Sequence, residues 1–181
     1  LEDQNVSYAM FKWSPDGKRL FMFGGDQGDM FETNPESETL SYLYEINLED
    51  GSSVEIAELT QTSVVFQGLS ENGDEAHLSV RSWEKTDDPN AEYQSEEGNY
   101  SLSVPAILTI KTAGGTPSSF TLGSERNVFA ESVVDTKDSL IIQTYKPKDT
   151  TYSEYVYQVL SVSKDEDNTT NVLVDETYAI N

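Results

Sequence analysis

One histidine, no cysteine and 33 carboxylates bound the chemistry this sequence can attempt. His77 is the only imidazole, so any Ser-His-Asp centre built wholly from these residues must use it. It lies where Ala76, Leu78 and Val80 alternate with His77, Ser79 and Arg81. A lone histidine in such a strand pattern is expected to be structural or solvent-facing. No Gly-x-Ser-x-Gly elbow occurs to seat a serine nucleophile. Without cysteine, disulfides, thiolate nucleophiles and cysteine-based zinc sites are excluded. There is no Gly-rich phosphate loop and no basic, aromatic patch for nucleic acid. Carboxylate pairs are abundant, but glycosidase chemistry needs two at a set separation in a cleft, which chain spacing does not supply. The sequence therefore assigns no catalytic residue, no metal ligand and no cofactor.

Acidic runs raise one further ligand class, calcium. Asp26-Gln-Gly-Asp29 and Asp165-Glu-Asp-Asn168 offer oxygen ligands, and Asp165, Asp167, Thr169 and Glu176 fall at EF-hand spacing. Thr170 stands where that loop requires glycine, and Glu176 falls beyond a strand. Acidic hairpin turns account for both runs, so calcium is a weak expectation. The wider balance, 11 Lys and Arg against 33 Asp and Glu, gives a net charge of −22. Such a field repels phosphate backbones and anionic lipid surfaces, and it suits solubility or a basic partner. No apolar run approaches the roughly 18 residues that span a bilayer, so this segment is expected to insert in no membrane.

The elements that position these residues follow a period of two. Tyr42, Tyr44, Ile46 and Leu48 alternate with polar neighbours, as do Leu102, Val104, Ala106, Leu108 and Ile110 across a run interrupted by Pro105. Proline inside a strand marks an edge or a bulge. No dozen residues hold an apolar stripe at helical spacing. Seventeen Tyr and Phe residues reinforce the β reading.

The strands recur. Tyr8 to Phe23 reads strand, turn, strand around Ser14-Pro-Asp-Gly17, and Val64 to Leu78 repeats it around Ser70-Glu-Asn-Gly73, 56 residues on. Proline presets φ and glycine supplies positive φ in such turns. A degenerate third copy runs from Val128 to Ile142, with its turn at residues 135–138. Each copy leads into a second hairpin, through Asp50-Gly51, Gly114-Gly115 and residues 164–168. Four short strands repeated three times is the signature of propeller blades. The sequence therefore predicts an all-β chain of three consecutive four-stranded antiparallel blades of β-propeller type. Their bounds are about 8–60, 61–123 and 124–175, with 176–181 starting a further strand.

Trp13-Ser-Pro-Asp-Gly-Lys-Arg-Leu20, followed by Tyr42-Leu-Tyr-Glu-Ile-Asn-Leu48, Asp50-Gly51 and Leu59-Thr60, resembles the WD-like repeat of TolB-type β-propeller proteins. The first copy carries the pattern well, the second keeps its turn and second hairpin, and the third keeps its register. The resemblance implies a scaffold for protein or ligand docking, with an extracytoplasmic location in the periplasm, cell envelope or medium. It implies no shared chemistry. Closed propellers need about four to eight blades, so three are expected to be a fragment of a larger propeller. The alternatives are a compact non-propeller arrangement or closure with a second chain.

Loops joining the second and third strand of each blade gather on one face of a propeller. Here they span 24–39, 82–99 and 146–153. The first two are long and mix acids with aromatics, which favours docking of a protein or peptide, or else a pair of solvated insertions. The candidate partner-binding residues are Asp26, Asp29, Phe31, Trp83, Asp87, Asp88 and Tyr93. The functional expectation is a non-enzymatic binding scaffold; the alternative is the propeller portion of a prolyl-oligopeptidase-like hydrolase without its catalytic domain. Trp13 and Leu20 are expected to be buried, with Asp16 and Lys18 exposed.

Overall fold

A computed structural model of the chain describes residues 8–25, 35, 40–60, 62–148, 153–164 and 170–179. Every regular element among them is a strand, and every pairing is antiparallel.

The first sheet orders β1 (Tyr8–Trp13), β2 (Arg19–Gly25), β3 (Leu40–Asn47) and β4 (Ser53–Thr60) as a simple meander. The third does the same with β11 (Phe129–Asp135), β12 (Ser139–Pro147), β13 (Glu154–Ser163) and β14 (Thr170–Ala179). Residues 176–179 thus close β14 against β13 instead of opening a further strand.

The second sheet has six strands where four were expected. Its meander is β5 (Thr62–Leu69), β6 (Glu75–Thr86), β9 (Ala106–Lys111) and β10 (Ser118–Thr121). Between β6 and β9 the chain adds β7 (Tyr93–Ser95) and β8 (Gly98–Leu102), with β8 pairing the far end of β6. Pro105, buried and without an N–H to donate, sits in the break between β8 and β9.

The turns explain why the hairpins repeat. Ser14 Oγ donates to Asp16 Oδ1 at 2.6 Å and accepts from the Arg19 N–H at 2.9 Å, while the Gly17 N–H donates to the Ser14 carbonyl at 2.9 Å. Ser70 and Asn72 repeat these bonds at 2.8 and 2.9 Å, and Gly73 repeats the third. The pattern Ser-x-Asp/Asn-Gly therefore builds its own turn from local side-chain bonds. The third turn sits one residue later than expected, because Asp135 ends β11 and the Thr136 N–H donates to the Ser139 carbonyl at 2.9 Å.

The sheets stack face to face in a fixed direction. Phe21, Phe23 and Leu43 of the first pack against Val64, Phe66, Ala76, Leu78 and Ile110 of the second. Ile107 and Leu122, on the second sheet's other side, pack against Val133, Leu140, Ile142, Leu160 and Val162 of the third. Burying each large apolar side chain contributes about 1.5–3 kcal/mol. The residue pairs closing the three hairpins, Trp13–Leu20, Leu69–Ala76 and Asp135–Leu140, set the equivalence of positions. Phe21, His77 and Ile141 follow as counterparts, all on the face each sheet turns toward its successor.

Asp16 and Lys18 are exposed and Leu20 is half-buried, but Trp13 is 64% exposed, contrary to expectation. Trp13 lies on the first sheet's other face, away from the second sheet. Period-two alternation shows which face a residue takes but not whether that face is covered.

Adjacent turns touch. Arg19 donates to the Asn72 and Gly73 carbonyls at 3.3 and 3.2 Å, and to Glu45 Oε2 at 3.2 Å. Gly17 and Gly73 share a left-handed φ, +71° and +73°, but a Cβ on Gly73 would lie 2.8 Å from the Arg19 guanidinium and 3.3 Å from Pro15 Cδ, whereas Gly17 faces open space. Gly17→Ala is expected to cost about 1–2 kcal/mol from backbone strain alone, and Gly73→Ala to cost more. Equal losses in urea denaturation would show that the turns do not abut.

Candidate functional site

Two places gather polar side chains, at opposite ends of the second sheet. At the turn end, β6 sends Ala76 and Leu78 toward the first sheet and His77 and Ser79 toward the third. His77 therefore occupies the position that Phe21 fills in the first sheet, and it is 1% exposed. Its Nε2 lies 2.8 Å from Asp135 Oδ2 at the end of β11, and its Nδ1 lies 3.0 Å from Thr109 Oγ1 on β9. The Asp135 carboxylate can only accept, so Nε2 carries the proton and Nδ1 accepts from the Thr109 hydroxyl. The second Asp135 oxygen accepts from the Lys164 ammonium. Every polar atom in this set is engaged. Gln67 adds a parallel link between the sheets, its Nε2 donating to the Ala130 carbonyl at 3.0 Å.

The electrostatics fit a neutral imidazole. Burial holds the His77 pKa below its ordinary value, outweighing the opposite pull of Asp135 and Glu75. Ligand atoms of Glu75, His77 and Asp135 lie within 4.8 Å of one another. They read as an ion-paired clamp and not as a metal centre, because the Lys164 ammonium supplies the compensating charge on Asp135. A polar-rimmed cavity of about 170 Å³ adjoins His77 between the sheets. An open groove of about 880 Å³ lies outside it, lined by Glu71, Asp74, Glu75, Lys111, Lys137 and Lys164.

At the opposite end β6, β8 and β7 run on as an ordered arm within the loop expected at 82–99. Trp83 and Tyr93 approach with ring centroids 6.2 Å apart, and Tyr93 and Tyr100 do so edge-on at 6.2 Å. Lys85 Nζ lies 5.9 Å from the Tyr100 ring and donates to the Glu97 carbonyl at 2.6 Å. Asp87 and Asp88 are exposed just past β6, where the Asp88 carboxylate accepts from the Asn90 N–H at 2.8 Å. Glu84, Glu92, Glu96 and Glu97 add to the acidic surface.

Of the residues singled out from sequence, Trp83, Asp87, Asp88 and Tyr93 thus share this arm. Asp26, Asp29 and Phe31, like the acidic run 165–168, lie outside the described residues. The partners of His77 were missed. The 56-residue offset that relates Ser14 to Ser70 also relates Phe21 to His77, which was a legible signal that His77 faces a neighbouring sheet. Among the described residues no helix is long and apolar enough to cross a membrane.

With this geometry in hand, known proteins supply a fold but no family. No family model and no curated protein matches the chain. Solved structures do resemble it, among them two proteases. One is dipeptidyl peptidase 4 of Porphyromonas gingivalis, at TM-score 0.54 and 8% identity, covering 93% of this chain and 26% of that one. The other is the tricorn protease, at TM-score 0.52 and 8% identity, covering 91% of this chain and 18% of that one. Both contain β-propeller domains. The likeness is one of fold, and the chain spans only a minor part of either protein's length.

The clamp makes a prediction. Its neutral histidine stabilises the fold fully above the ordinary imidazole value of about 6.5, where neither state holds the proton. As pH falls below that, the unfolded chain takes up a proton that the folded chain resists, so stability is lost. Urea midpoints are expected to fall as pH drops below about 6.5. His77→Ala alone, which removes one of the two partners of the Asp135 carboxylate and leaves Lys164 on the other oxygen, is expected to cost about 1.5–3 kcal/mol. His77→Phe combined with Asp135→Leu is expected to hold or gain stability and to flatten that pH dependence. A flat wild-type profile would contradict the assignment.

Proposed function

We propose that this chain is a non-enzymatic recognition module of β-propeller type, and that its acidic arm docks an extended, basic segment of a partner protein. One observation carries the reading. The chain's single histidine, which any Ser-His-Asp centre within these 181 residues would need, is buried between two sheets with both ring nitrogens committed. The arm presents aromatic and acidic side chains to a partner. Tyr and Trp anchors within a charged rim suit peptide recognition, and a net charge of −22 speeds encounter with cations. Asp26, Asp29 and Phe31 belong to the same proposed surface through their equivalent place in the first repeat. The TolB-type resemblance supports an extracytoplasmic setting for this role.

A second reading has its own support in two of the structural neighbours, both peptidases. In it, the chain is the propeller portion of a larger hydrolase whose catalytic residues lie outside these 181. A fluorogenic peptide cleaved by a longer form of the protein, and not by this chain, would favour it.

For the first reading, Trp83 fluorescence is the readout, with Trp13→Phe as background. A short lysine-rich peptide is expected to shift it saturably. Asp87→Lys with Asp88→Lys is expected to weaken binding about tenfold at low salt, with a smaller effect once the Debye length falls to about 3 Å. Equal affinity of wild type and variant at low salt would remove the arm from the partner surface.

A further inference from the structure

Trp13 is the most exposed large apolar side chain described, yet its counterparts are covered. Leu69, at the same hairpin position of the second sheet, packs into the core shared with the first sheet. Asp135, at that position of the third, reaches back to His77 of the second. Phe21 belongs to the core that Leu69 packs against, and its counterpart His77 is the residue that Asp135 reaches. The rule is directional, with each sheet's forward face covering the next sheet's rear face. At one end it leaves open the rear face of the first sheet, with Phe11 52% and Trp13 64% exposed. At the other it leaves open the forward face of the third sheet, with Val134 57% exposed and paired in register with Ile141, the counterpart of Phe21.

These two surfaces are the missing halves of one more junction of the kind the chain already makes twice. We propose that two copies of this chain close on each other head to tail, Trp13 of each seated against Ile141 of the other. A two-fold axis relates the two contacts, Trp13 to Ile141 and Ile141 to Trp13, so the pair closes on itself as a ring. Each copy brings three sheets, so the ring holds six, within the about four to eight at which sheet rings close. It also covers an exposed Trp and Phe cluster that a soluble monomer would leave in water. Repulsion between two copies of charge −22 opposes closure, so salt strengthens it.

Sedimentation velocity on the 181-residue chain over a wide concentration range tests this. The expected species has twice the monomer mass of 20.2 kDa. Trp13→Glu and Ile141→Glu are each expected to give monomers with an unchanged circular dichroism spectrum. Phe11→Ser and Val134→Glu, on the same two faces, serve where a first choice unfolds. Mixing the Trp13→Glu and Ile141→Glu chains restores one intact junction, so a mixed dimer is expected where neither variant alone forms one. A wild-type monomer at every concentration would overturn the proposal. So would an Ile141→Glu chain that dimerises normally, since that would join the Trp13 faces to each other.

Discussion

A strand whose residues alternate between two apolar faces has to be covered twice, and that requirement organises this molecule. Phe21, Phe23 and Leu43 turn one face of the first sheet into half of a core, and Val64, Phe66 and Leu78 complete it from the second. The same operation, repeated once, joins the second sheet to the third. The turns hold the alignment between sheets. Arg19 spans from its own hairpin to the carbonyls of the next, and Gly73 lets the two turns approach.

The second junction departs from the first at its centre. Where the first places Phe21, the second places His77, and the apolar contact becomes a chain of hydrogen bonds from Thr109 through His77 and Asp135 to Lys164. A buried ion pair of this kind adds little net stability over an apolar pair, because desolvation offsets the attraction. What it does provide is a geometry that admits one register, since a slip of one residue would strand a carboxylate in the interior. The single histidine thereby has both ring nitrogens engaged inside the junction.

Much of this was readable beforehand. The Ser-x-Asp/Asn-Gly turns were legible because their hydrogen bonds are local to four or five residues. The three-sheet plan was legible because the strand–turn–strand unit recurs, with matching turns in the first two copies and a degenerate one in the third. The arm was not, since Tyr93-Gln-Ser95 is too short to show alternation and Ser95-Glu-Glu-Gly98 reads as loop. Pro105 was legible as an interruption of its strand run, and it stands at the break between β8 and β9. Trp13 was placed on the correct kind of strand position and wrongly buried, because its burial depends on a neighbouring sheet and not on its own strand. The contact between His77 and Asp135, 58 residues apart, has no local trace in the chain. Only the equivalence of His77 with Phe21 pointed to it.

The direct test of this account is a double-mutant cycle across the second junction, comparing urea stabilities at neutral pH of wild type, His77→Ala, Asp135→Ala and the combined variant. If the two side chains meet between the sheets, the double loss will fall short of the sum of the single losses by about 1.5–3 kcal/mol. Strict additivity, within about 0.5 kcal/mol, would mean that His77 and Asp135 do not touch, and the stacking of the third sheet on the second would have to be redrawn.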